Sequence, residues 1–322
     1  MQSNPYKVGS PTSICFSGGR TSGKMLFEIL AAYDGQLPPD AHVAFENTGM
    51  ERLETLDFIH EVEMRWGVPI VWLEYNDRFD IEDYRKADGS LAERRRKYST
   101  DDLIDPAKRG FKIVTYETAS REGEPFDAML RYYAEFRRIV KSEPPILPTV
   151  PSRMCTTHLK IKTNTRWMMS MGYDYFDAVQ GIRKDEPRRW AKMMAQNQKG
   201  NERYNNVLPL YDAGVVKADV FKFWQSQPFD LQLDAESYAG NCNFCFLKNT
   251  DKIVNLMRLR FAETEGTIPP DIQWWIDKEE AAGMSFRQNR TYAALVQIAQ
   301  SSVLIPASLE PAIDCVCGAA DD

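Results

Sequence analysis

Three stretches of this 322-residue chain combine residue types and spacings that suit chemistry. The first, Ile14 to Met25, reads ICFSGGRTSGKM. Gly18, Gly23 and Lys24 fall on the G-x-x-x-x-G-K-[ST] pattern of a Walker loop, but Met25 stands where a Ser or Thr would hold Mg²⁺ beside the phosphates. Read from Ser17, the stretch suits a different phosphate loop, and Lys24 meets the Walker pattern by coincidence. Gly18 and Gly19 let backbone N–H groups approach phosphate oxygens closely. Ser17 and Ser22 add hydroxyl donors, and the N-terminus of the following helix favours anionic charge. The alternative is a plain glycine-rich turn. The second feature is Cys242-x-x-Cys245 in GNCNFCFLKN, with Cys155 upstream in RMCTTHLK and Cys315-x-Cys317 in the tail. Such thiols suit a redox pair, a zinc site or an iron–sulfur site, or are ordinary buried cysteines. The third is QGIRKDEPRR, Gln180 to Arg189, where Arg183, Lys184, Arg188 and Arg189 flank Asp185-Glu186. Guanidinium groups there suit bidentate binding of phosphate or sulfate; the alternative is a solvated charged loop. Lys160 and Lys162 follow Cys155 and can also face an anion.

These residues need elements to hold them. Ser13 to Phe16 reads as a strand running into the glycine loop, and Met25 to Leu30 continues at helical spacing. Ala41 to Phe45 is a second strand ending in Glu46-Asn47-Thr48-Gly49, followed by a helix over Leu53 to Trp66 and a buried strand over Pro69 to Leu73. Asp177 to Ile182 and Val207 to Tyr211 read as further strands. Strands alternating with helices predict an α/β fold with an open, mainly parallel sheet flanked by helices. Residues 76–110 are polar and hold the charge run Glu93 to Lys97, of which Arg94 to Lys97 reads as a solvated face able to touch a nucleic-acid backbone. The proline-rich SEPPILPTVPS of residues 142–152 reads as extended loop. Beyond about residue 230 the pattern turns helical and bears cysteines, which divides the chain into an α/β domain carrying the phosphate loop over 1–230 and a mainly helical region over 231–322. Cys15, His42 and His60 read as structural, and Trp274-Trp275 as packing. Only three histidines are present, which argues against a Ser/His/Asp hydrolase or a His-rich metal site.

The net charge of −6 argues against a general nucleic-acid coat protein, so any nucleic-acid contact must come from local patches. No run of about 18 apolar residues is present to span a membrane, and the first residues lack an apolar signal core. The expected location is therefore cytoplasmic, where six cysteines serve as ligands or redox groups more readily than as disulfides.

The S-G-G-x-x-S spacing of Ser17 to Ser22 resembles the PP-loop superfamily. FENTGMERLETLDFIHE, with Thr48, Gly49 and Thr55, resembles the segment after the second strand in the phosphoadenosine phosphosulfate (PAPS) reductase family. QGIRKDEPRR resembles that family's G-x-R-x-D-E segment through Gly181, Arg183, Asp185 and Glu186. With PSRMCTTHLKIK, these fall in the family's order over about two thirds of the chain, which thus resembles the PAPS-reductase-like branch of the superfamily. The resemblance implies an adenine nucleotide, ATP or PAPS, bound with Mg²⁺ at the strand C-terminal ends. Ser17, Gly18, Gly19, Arg20, Thr21, Ser22, Thr48, Gly49 and Gly181 would hold it, and Lys160, Arg183 and Asp185 would serve catalysis. It further implies a [4Fe–4S] cluster, with zinc as the alternative, on Cys155, Cys242, Cys245 and either Cys315 or Cys317; His158 is a poorer fourth ligand.

The activity implied is cleavage of ATP to AMP and pyrophosphate, adenylating an acceptor for cluster-assisted sulfur transfer of the nucleic-acid thiolation or phosphorothioation type. The alternatives are a sulfonucleotide reductase that makes sulfite, and a non-catalytic nucleotide- and metal-binding subunit. The partners implied are a nucleic-acid substrate, a cysteine desulfurase or thioredoxin-like donor, and a second copy in a homodimer. The chain departs from the pattern at three places. Thr21 stands where ATP pyrophosphatases of the superfamily commonly carry Asp. Met154 replaces the first of two vicinal cysteines found in sulfate-assimilation reductases. The tail AIDCVCGAADD keeps Cys317-Gly318 of the reductase E-C-G-x-H motif without its Glu or His.

Overall fold

The apolar run before the glycine loop forms β1 (Thr12–Cys15), and the loop opens directly into α1 (Arg20–Ala32) in the computed structural model, which describes residues 4–233 and 242–301. Met25, Leu26, Ile29 and Leu30 of α1 are buried at helical spacing against the sheet. The chain continues through β2 (Ala41–Asn47), α2 (Leu53–Trp66) and β3 (Ile70–Tyr75). A less regular stretch follows, holding α3 (Thr100–Ile104), β4 (Phe111–Val114) and α4 (Glu124–Phe136). A π-helical segment, Thr156–Lys162, leads into α5 (Thr163–Ser170). Then come β5 (Phe176–Val179), α6 (Pro187–Lys199), β6 (Tyr204–Val207), α7 (Pro209–Asp212) and α8 (Lys217–Gln225). Helices α9 (Thr250–Glu263), α10 (Pro270–Ala282) and α11 (Tyr292–Gln300) follow.

The six strands form one sheet in the order β4-β3-β2-β1-β5-β6. All neighbours pair in parallel except β4, which runs antiparallel along β3. The chain builds outward from β1 to β3 and β4, then crosses back to lay β5 on the other side of β1. Strand order therefore reverses at β1 and β5, and a crevice opens at their C-terminal ends, the usual ligand position in open α/β sheets. Both the glycine loop and the Gln180–Glu186 segment lie there. On one face Ile14, Phe16, Val43, Phe45 and Val179 join a large core that extends through α1, α2 and α8 to Phe244, Trp275 and Tyr292. On the other face Ala44, Phe176 and Ala178 pack on Trp167 and Met168 of α5.

Two sequence expectations need correction. The strand expected over Val207 to Tyr211 ends at Val207, and a helix begins at Pro209. Proline lacks the N–H a ladder needs but fits a helix's first turn. The run Arg94 to Lys97 is not a uniformly solvated face. Arg94 and Lys97 are exposed, but Arg95 turns inward, Nη1 donating to Asp77 Oδ1 and Oδ2 at 2.8 and 2.7 Å. Asp77 also takes Arg166 Nη2 at 3.0 Å and the Tyr98 hydroxyl at 2.7 Å. The Arg95 and Arg166 guanidiniums both lie 4.4 Å from the Tyr98 ring centroid. Arg95 and Arg96 also pair with Asp83, and Arg96 with Asp102. These three carboxylates are buried, and burial demands cations beside them.

The structural readings of the aromatic groups agree with their packing. His60 stacks on Tyr116 at 4.4 Å, His42 meets Trp167 edge-on, and Trp275 is fully buried against Tyr292. Among the described residues no helix is long and apolar enough to cross a membrane.

Asp77→Asn would leave the half-buried Arg166 without its carboxylate and Arg95 with Asp83 alone. The expected loss is about 3 kcal/mol, seen as a lower urea midpoint at unchanged slope. An unchanged midpoint would show that the network contributes nothing to stability.

Candidate functional site

The glycine loop turns at Gly18, whose φ of +76° lies in the left-handed region. A Cβ there would lie 2.7 Å from Thr55 and Ile59 of α2. The Ser17 and Ser22 hydroxyls lie 3.0 Å apart, and Ser22 donates to the Gly19 carbonyl at 3.0 Å. Gly19 caps α1 without a side-chain hydrogen bond, and no acidic residue occupies the first turn. The positive end of a 13-residue helix thus faces the crevice without an anionic side chain of its own. Gly181, at the end of β5, approaches so closely that a Cβ would meet the Ser22 backbone at 3.2 Å.

Arg20 and Lys24 point elsewhere. The Arg20 guanidinium is buried, pairs with Asp230 at 2.8 Å and donates to the Leu231 and Leu233 carbonyls. Lys24 pairs with Glu28 one turn along α1 at 2.6 Å and lies over the Phe223 ring. Thr21 is fully buried and accepts from Arg183 Nη1 at 3.0 Å. Arg183 is itself buried and is held by Asp185 at 3.0 Å, while its backbone N–H donates to Glu186 at 2.8 Å. Asp185 in turn accepts from the Lys217 N–H at 3.2 Å. The two loops are therefore locked together across the crevice.

Beside Ser17 a partly open cavity lies on the α5–α6 face of the sheet. Cys15, Glu46, Lys160, Asn164, Gln180 and Asn206 contribute to its lining. Cys15, read from sequence as core, edges this cavity, and burial raises its thiol's pKa strongly. Glu46 is buried, and burial raises its carboxyl to about pH 7, although Asn164 and Lys160 oppose the shift. Asn164 Nδ2 donates to Glu46 at 2.6 Å, while the buried Asn164 Oδ1 has no donor. Lys160 pairs with Glu51 at 3.6 Å.

Glu51 links this cavity to the cysteines. It accepts from the Thr48 N–H at 2.9 Å and hydroxyl at 2.8 Å. Cys242 Sγ lies 3.5 Å from Thr48 Oγ1 and 4.0 Å from Glu51 Oε1, and the two backbones meet in a short bridge. Gly49 lies against α4, its carbonyl accepting from the Gly123 N–H at 2.9 Å. Cys245 is buried in a turn whose carbonyls are taken by Tyr292 and Arg287. Cys155 is half-buried against the same core. Among the described residues, no three His, Cys, Asp or Glu side chains gather as metal donors. Cys315 and Cys317 lie outside the described residues. His158 is engaged with the Tyr133 hydroxyl, and burial, followed by Lys162 and Arg166, lowers its pKa to about 3.

The structure thus brings Ser17, Ser22, Thr21, Gly181, Arg183 and Lys160 around one crevice. Sequence reasoning missed Glu46, Glu51 and Asn164. The signal for the first two was present, since FENTGME carries two acids at the C-terminal end of a buried strand. In comparisons with known proteins, the chain is 28% identical over 244 residues to the uncharacterized nin region protein ORF290 of Escherichia phage lambda, covering 74% of this chain and 67% of that protein. No protein-family model and no solved structure matches it.

Because Glu46 binds a proton more tightly when folded, the stability it contributes is complete below about pH 4.5 and is lost as pH rises through about 7. The difference is about 3 kcal/mol. Glu46→Gln, which does not titrate, should flatten the wild-type decline between pH 5 and 8 in urea denaturation. A parallel decline in both proteins would place the titration elsewhere.

Proposed function

We propose that this crevice binds an adenine nucleotide in the manner of the PP-loop superfamily, and that the protein cleaves ATP between its α and β phosphates to adenylate an acceptor. One observation carries the reading: the Ser17–Ser22 loop wraps a helix N-terminus that has no side-chain cap and no acidic residue, at the point where strand order reverses. Pyrophosphate would rest against the loop N–H groups and the two serine hydroxyls. The base and ribose would enter the adjoining cavity, where Asn164 Oδ1 offers an acceptor for an amine or hydroxyl. Arg183 and Lys160 supply positive charge on the two sides of the α-phosphate position, where charge grows during displacement. Adenylation converts an acceptor oxygen into a good leaving group, and a later nucleophile then expels AMP. For sulfur transfer that nucleophile would be sulfur. The described cysteines do not form a metal-holding group on their own.

The test is nucleotide binding and product analysis on the full chain. Ser17→Ala combined with Ser22→Ala should weaken ATP binding at least about tenfold, whereas Lys24→Ala should leave it unchanged. Arg183→Gln should lower turnover by about a hundredfold or more. AMP and pyrophosphate are the expected products. Release of sulfite from PAPS with ATP untouched would replace this reading with sulfonucleotide reduction. Loss of binding on Lys24→Ala, with the serine variant intact, would reject the loop assignment.

A further inference from the structure

Arg189 has no role in the chemistry above, yet its environment is unusual. It lies in the first turn of α6, and its side chain is only 6% exposed. Nη1 pairs with Glu186, but Nε and Nη2 are buried without any hydrogen-bond partner. These two atoms form one edge of the guanidinium, the fork that matches two oxygens of a single phosphate. A desolvated cation with an empty fork is costly, and at a helix N-terminus the helix dipole adds to the cost. More positive charge surrounds it. Partial burial, then the nearby Arg153 and Arg189, depress the pKa of Lys192. The facing carboxylate, Glu186, also lies 3.8 Å from Arg183.

The cluster adjoins the cavity. Arg189, Met193 and Gln196 share one stripe of α6, at i, i+4 and i+7, and the last two line the cavity. On the opposing wall Thr156 and Lys160 line it, and the helical turn that carries them begins at Arg153, whose carbonyl accepts from the Thr157 N–H at 3.1 Å. Arg189 is covered, whereas Lys192 is exposed, so the cluster runs from the interior to the surface.

We infer that Arg189, Lys192 and Arg153 form a second phosphate subsite beside this cavity, separate from the glycine loop, for a phosphate group of the substrate. This deepens the nucleotide reading and rests on it for the identity of the cavity's occupant. The phosphate belongs either to the bound nucleotide, away from its 5′ chain, or to the backbone of a nucleic-acid acceptor.

The experiment measures the binding of AMP, adenosine 3′,5′-bisphosphate, a short single-stranded DNA and inorganic phosphate to wild type, Arg189→Gln and Lys192→Gln. Each substitution should weaken ligands that use the subsite by about tenfold while leaving AMP unchanged. A loss confined to the bisphosphate assigns the phosphate to the nucleotide; a loss confined to DNA assigns it to the acceptor. Unchanged affinity for bisphosphate, DNA and inorganic phosphate in both variants would overturn the inference. Lys192 is exposed, so its variant separates loss of binding from loss of folding. If wild type binds no adenine nucleotide, the nucleotide reading fails, while a loss of DNA or inorganic-phosphate binding in the two variants still supports the subsite.

Discussion

A row of buried carboxylates at the C-terminal edge of the sheet organises the rest of the molecule. Glu46, Glu51, Glu74 and Asp77 are each less than a tenth exposed. A carboxylate in that position must find donors or cations, or else bind a proton. Three of them, Glu46, Glu51 and Asp77, draw on the single stretch from Lys160 to Arg166. Glu46 draws Asn164, Glu51 draws Lys160, and Asp77 draws Arg95 and Arg166. Glu74 draws Asn47, Ser120 and Lys112. The poorly regular stretch between β3 and β5 owes its course over the sheet to these attachments as much as to apolar burial.

The same constraint separates scaffold from site. Glu74 and Asp77 are fully matched by their partners and read as structure. At Glu46 burial outweighs the Asn164 amide and the charge of Lys160, and its proton affinity is raised. Glu51 is shared between the Thr48 turn, Lys160 and the neighbourhood of Cys242. Glu46, whose burial its partners do not offset, is the member of the row that lines the cavity, where a ligand has groups to offer.

The alternation of β-rich runs with helical spacing made the sheet and its first three strands legible in the sequence, because each apolar run is continuous and ends in a turn signal. The glycine loop was legible for the same reason. The antiparallel edge strand β4 was not: Phe111–Val114 alternates buried with more open positions and sits inside a polar stretch. Nor was the fate of Arg20, a loop residue by position whose guanidinium answers Asp230 some 210 residues later. Charges that look solvated in sequence are committed in space by partners that no local window contains. Arg95 shows this within the run that seemed most exposed.

The π-helical turn over Thr156–Lys162 carries its own lesson. Thr156, then Lys160 and Ile161, then Asn164 and Thr165 line the cavity, a repeat of four to five residues in place of the α-helical 3.6. In register terms the segment holds one residue more than an α-helix would use to cover the same length. Removing one residue between Thr156 and Lys162 would let an ordinary helix cover the same length, so the residues beyond the turn would keep their places while side chains within it would move around the axis by up to about 100°. Lys160 and Asn164 would then no longer both meet the acids of β2 and its turn. A homologous chain that lacks this residue would keep the fold while surrendering the wall of the cavity, so the length of this segment, rather than its composition, is the feature to compare between relatives.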